Sequence, residues 1–157
     1  MTRTILVIAL LAILAAWGIY AVATVDRRGD EAQIRSMIAD TAAAVERRDL
    51  GGTIACLSGD YKDADGMNYD RLRVVVAQAL QSDSKFTTSV EVTALQITGK
   101  DASATVRAIV NGANGEQIYN RNLILTLRKE PARHKVLVPV EVWRVTNVRG
   151  LALQQVM

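Results

Sequence analysis

The chain has one cysteine, one histidine and one phenylalanine among 157 residues. Cys56 cannot form an internal bridge; beside Ile54 and Leu57 it reads as a small buried hydrophobe. A single Cys and a single His cannot close a zinc site. His134 falls in a stretch read as a turn beside Pro131 and Arg133, where a solvated surface histidine is expected and catalysis is not. Seven aromatic residues (two Trp, four Tyr, one Phe) leave few rings for stacking on sugars or bases. The formal charge is +3, but Arg27-Arg28, Arg47-Arg48 and Arg128-Lys129 are scattered pairs, each next to an acid. With no basic run, nucleic-acid binding is not expected. No GxSxG, P-loop, Rossmann glycine pattern or HExxH occurs.

What the chain does have is a charge-free stretch from Ile5 to Val25, ILVIALLAILAAWGIYAVATV. As a helix, its 21 residues reach across a hydrocarbon core of roughly 30 Å at about 1.5 Å per residue. It therefore reads as a single-pass anchor over residues 1–25, with Ile5, Leu10 and Leu14 facing lipid and Trp17 and Tyr20 as interfacial rings. The rival reading is a cleaved signal peptide: Arg3 gives a basic start, and Ala21-Val22-Ala23 fits a small-x-small cleavage site. Arg27 and Arg28, in a hinge over 26–29, are placed to meet lipid headgroups. The expected location is a bacterial-type inner membrane with the following domain on the periplasmic side. The charge count after the helix leaves the cytoplasmic side open.

Residues 30–149 make one domain, and 150–157 a tail with apolar Leu151. Asp30 reads as an N-cap, with Gln33 completing a capping box. Ile34, Met37, Ile38, Thr41, Ala42 and Val45 then form a helical stripe. Gly51-Gly52 punctuates the chain, Thr53 to Leu57 adds a helical turn or two, and Ser58 to Gly66 is a polar loop. The acids Asp60, Asp63, Asp65 and Asp70 suggest calcium, but aligning Asp63, Asp65 and Gly66 to an EF-hand puts Leu72 where a bidentate Glu is required. Helix capping is the better account of that loop. Asn68 opens a helix striped by Leu72, Val75, Val76, Ala79 and Leu80.

From Phe86 the period becomes two. Phe86, Thr88, Val90 and Val92 alternate, then Leu95 and Ile97 take the opposite phase, which predicts a bulge near Ala94. A second strand carries Ala104 to Val110, and Asn111 to Gly115 (NGANG) is a hairpin signal. Tyr119, Leu123, Leu125 and Leu127 line a third strand, Glu130-Pro131-Ala132 reads as a turn, and Val136, Val138, Val140 and Val142 make a fourth with Pro139 at an edge or a bulge. The fold class is α+β: an N-terminal transmembrane helix, then amphipathic helices packed on a curved four-stranded antiparallel sheet.

The stretch ERRDLGGTIACLSGDYKDADGMNYDRLRVVV, followed by this meander and the closing Val142-Trp143, resembles the nuclear transport factor 2-like (cystatin-like cone) superfamily. The resemblance implies a cone-shaped domain and functions running from isomerases and dehydratases to non-catalytic binding or assembly modules. Its enzymes typically hold an Asp/His or Asp/Tyr pair inside the cone, and no such pair stands out here. Glu91 and Glu141 alternate out of phase with the valines, so both read as exposed; on the opposite face assignment Glu141 would sit with Trp143 in a pocket. The first expectation is therefore a non-catalytic interaction module, an accessory subunit or homodimer within a larger membrane assembly. The second is a binder of a small apolar ligand, walled by Tyr61, Tyr119 and Trp143 beside Glu141. The third is an isomerase or dehydratase. No catalytic residue, metal or cofactor is expected.

Overall fold

The structure, a computed structural model, describes residues 2–26, 28–81, 85–134 and 138–151, with residues 2–9 described for their backbone alone. The elements are α1 (Thr2–Ala23), α2 (Asp30–Glu46), α3 (Leu50–Ile54), α4 (Tyr69–Leu80), β1 (Phe86–Thr98), β2 (Asp101–Gly112), β3 (Gln117–His134) and β4 (Val138–Arg149). The strands form one antiparallel meander in the order β1-β2-β3-β4. The chain divides into two compact units, Met1–Arg28 with Glu130–Val142, and Gly29–Lys129 with Trp143–Met157.

In the first unit, α1 buries Ala21 and leaves Leu10, Leu11, Ile13, Leu14, Trp17, Ile19, Tyr20 and Val22 exposed. Thr24 closes the helix, its Oγ1 donating to the Tyr20 carbonyl at 2.8 Å and lying 2.9 Å from His134 Nε2. The expected membrane anchor is not upheld. Among the described residues no helix is long and apolar enough to cross a membrane. The inner-membrane, single-pass location is corrected with it, having no positive support in the structure. Ile5 as a side chain, Arg27, Val136 and the tail beyond Leu151 lie outside the described residues. Arg28 is taken up locally, its Nη2 lying 2.6 Å from Asp26 Oδ2.

The turn expected at Glu130-Pro131-Ala132 is instead part of β3. The reason is register. β2 begins at Asp101, opposite Arg128, and Lys129 N donates to Lys100 O as the last contact on that side. Pro131 lies past the end of β2, so its missing N–H interrupts no ladder there. Pro139 lies on β4, an outer strand, as its chemistry requires.

In the second unit α2 begins at Asp30, with Gly29 as its N-cap and no side-chain capping bond. The expected Asp30 cap is lost because that carboxylate is engaged elsewhere. Nor does Gly51-Gly52 separate elements. It lies inside α3, where Asp49 caps by accepting from Gly52 N at 3.0 Å. A Cβ on Gly52 would stand 2.8 Å from that of Ala44, so glycine lets α3 approach α2. The following segment runs along the outer edge of β4: Val145 N donates to Cys56 O, Ser58 N to Val145 O, and Lys62 N to Thr146 O, at 2.8–3.0 Å. This covers a strand edge that would otherwise be open to pairing.

The sheet follows its alternation. The β1/β2 register shifts between Val92 and Ala94, where the apolar phase changes. Gly115, at φ 80, makes the NGANG turn that no β-carbon favours. One sheet face and the helices bury Ile34, Ile38, Leu72, Ala104, Val106, Leu127, Trp143 and Val145 in a single core. Nonpolar burial of this kind, at about 25 cal/mol per Å², is the main force holding helices to sheet.

Candidate functional site

Three polar constellations reach into the second unit. The first is built by the start of α2, the inner part of β3 and β4. Asp30 Oδ1 accepts from Lys129 Nζ at 2.6 Å and from Trp143 Nε1 at 3.2 Å, and the Lys129 ammonium lies 5.7 Å from the Trp143 ring centroid. The Lys129 bond, then the Trp143 bond, hold the Asp30 carboxyl below its ordinary value. Trp143 is thus a core residue with its one donor satisfied.

The second centres on the loop before α4. Tyr61 is buried, its hydroxyl 3.5 Å from Asp63 Oδ2, a long contact. Burial first, and the neighbouring Asp63 charge second, push the Tyr61 phenol up to about 12. Asp63 is itself buried, with Oδ1 accepting from Asp65 N at 3.0 Å and Met67 N at 2.8 Å. Its Oδ1 is spent on the loop's own amides, and α4 is capped by Asn68, whose Oδ1 accepts from Arg71 N at 3.0 Å. Among the described residues no group of His, Cys, Asp and Glu is placed to hold a metal ion.

The third lies at the other end of the sheet. Tyr119 is half-buried on the core face of β3, opposite Val110, which is in turn opposite Thr88. The Tyr119 hydroxyl and Thr88 Oγ1 are both shielded from water, and neither has a hydrogen-bond partner among the described residues. Burial raises the Tyr119 phenol against the lowering influence of Arg121.

The residues expected to wall one pocket are therefore dispersed. Tyr61 and Trp143 belong to the packed core; Tyr119 stands outside that cluster. Glu141 is exposed and belongs to the first unit. Sequence reading missed Asp30 with Lys129, because nothing local marks two residues 99 positions apart as partners. It also passed over Thr88, which had served only as one alternating position in a strand.

No known family profile matches the sequence, and no curated protein does either. Solved structures do. An NTF2-like protein of unknown function from Pseudomonas putida superposes with a TM-score of 0.61 at 17% identity, covering 75% of this chain and 82% of that one. An NTF2-like protein with a cystatin-like fold from Novosphingobium aromaticivorans gives 0.59 at 17% identity, over 81% and 87%. A ketosteroid isomerase-like protein from Erwinia carotovora gives 0.55 at 17% identity, over 77% and 95%. At such identities the likeness defines the fold, a nuclear transport factor 2-like α+β domain, and leaves the activity to the site.

Proposed function

We propose that the protein is a non-catalytic interaction module, whose helix α1 docks on an apolar surface of a partner protein. The observation that carries this is the exposure of Leu10, Leu11, Ile13, Leu14, Trp17, Ile19, Tyr20 and Val22 on one helix. A contiguous apolar surface of that kind marks a contact to be covered. The Asp30 carboxylate, engaged by two donors and held below its ordinary value, serves to tie α2 to the sheet.

The test is the native size of the full-length chain extracted in mild detergent from the cells that make it. The expected result is a complex much larger than a dimer, lost in the triple variant Leu10→Gln, Leu14→Gln, Trp17→Gln. A monomer or dimer in both proteins defeats the proposal, as does a helix that simply partitions onto neutral lipid vesicles.

A second reading, a binder of a small ligand, is favoured by the hydroxyls of Thr88 and Tyr119, which have no hydrogen-bond partner among the described residues.

A further inference from the structure

We infer that the outer edge of β1 pairs with the β1 edge of a second copy of this chain, antiparallel about Val90, and that Glu46 and Arg35 hold this edge closed in the single chain. The inference rests on β1 and α2 alone, so it stands or falls apart from the docking role of α1.

β1 stands at one end of the sheet, beside β2. Two of its backbone groups are nevertheless met by side chains of α2. Thr88 N donates to Glu46 Oε1 at 2.8 Å, and Val92 O accepts from Arg35 Nη1 at 3.4 Å, a longer contact. Both groups therefore point away from β2, along the outer edge. Strand alternation puts the N–H and C=O of Val90, between them, on that same edge.

The two ends of the sheet are closed by different means. Along β4 the cover is backbone, from Cys56 to Lys62, and opening it displaces a packed segment. Along β1 the cover is two long side chains, both exposed, with Arg35 also bonded to Glu31 at 2.9 Å. They leave by rotation, without disturbing the helix that bears them. An edge covered so lightly is a template for another strand once the side chains move.

The guarded groups select the partner. With a two-fold axis at Val90, Thr88 of one copy stands opposite Val92 of the second copy. The N–H that Glu46 satisfies then meets the C=O that Arg35 covers, and the same bond recurs across the axis. Side chains match in this register too. Val90 meets Val90 and Thr88 meets Val92, β-branched pairs of the kind that stabilise sheets. The exposed acid Glu91 faces the exposed Ser89, so no like charges stand opposite each other. A second copy thus carries the complement that a foreign strand would have to supply.

The experiment is disulfide trapping between two full-length chains, both carrying Cys56→Ala, one with Ser89→Cys and the other with Glu91→Cys. In the inferred register these positions are directly opposite, with α-carbons about 4.5 Å apart, within disulfide reach. Two copies of the same variant meet only on the diagonal, at about 7–8 Å, beyond it. Because register is the readout, chains gathered through α1 do not imitate it. The expected result is a crosslinked dimer from the oxidised mixture and not from either chain alone. Its yield should rise at least threefold with Glu46→Ala and Arg35→Ala together, and be lost with Val90→Pro. Proline there removes an edge N–H and no ladder bond to β2. Should that variant melt early, the mixture compared with the single chains still decides. Three outcomes overturn the inference: no crosslink in the mixture even with both guards removed, equal crosslinking in the single-chain samples, or a yield indifferent to the guards. If the Ser89→Cys chain is crosslinked in cell extract to a different protein in place of this one, the edge belongs to a foreign strand and the inference fails as well.

Discussion

Asp30 and Trp143 are joined by a hydrogen bond of 3.2 Å from the indole N–H to the carboxylate, across 113 residues of chain. The same oxygen also takes the Lys129 ammonium at 2.6 Å. The start of α2 is thereby tied to two strands at once, and the residue that looks like a helix cap serves as a tertiary clamp.

Replacing that carboxylate weakens the clamp. Asp30→Asn is expected to cost about 1 kcal/mol, a charge-assisted bond discounted for partial exposure, measured by urea unfolding. The Asp30 carboxyl is held below its unfolded value of 3.8, so its contribution is present above about pH 4 and is lost as pH falls through the folded value. Acid titration followed by Trp143 fluorescence in a Trp17→Phe background should show this step, and Asp30→Asn should abolish it. A step that persists in the variant assigns it to another group.

Asp63→Ala strands the Asp65 and Met67 amides and should cost about 2 kcal/mol, whereas Asp63→Asn retains an oxygen acceptor and should cost less than half of that. Denaturant midpoints compare the two. Equal losses would mean that charge, not the amide contacts, is what matters at Asp63.

Tyr61 should be among the last tyrosines to ionise. Its phenol is raised from 10 to about 12, so the stability it contributes is full below about pH 10 and is lost as pH rises through the folded value. Ultraviolet titration of the native protein should therefore show a late-titrating phenol that Tyr61→Phe removes. If the substitution removes an early-titrating phenol instead, the residue is not buried as described.

Core and surface on β3 should separate cleanly. Leu127 is fully buried, and Leu127→Ala is expected to cost about 3 kcal/mol. Ile118, 61% exposed on the same strand, should change stability by less than about 0.5 kcal/mol when truncated to Ala. Thermal melts of the two variants give the comparison.

Much of the fold was legible because its signals are local. The α2 stripe placed Ile34 and Ile38 in the core, Asn68 caps α4, and the phase change after Val92 located the bulge within one residue. Where sequence reading failed, a local signal met a nonlocal partner. Pro131 broke no strand because β2 had already ended, and Gly51-Gly52 marked a close approach of α3 to α2 instead of a boundary.

The sequence by itself determined the α+β class, the order of the elements and the strand alternation, since each rests on propensities and periods spanning a few residues. Tertiary structure decided what the polar side chains do. It turned Asp30 from a cap into a clamp and sent Tyr61 and Trp143 into the core. It also set Thr88, Val110 and Tyr119 in one row, because register across three strands is fixed by all of their pairings together.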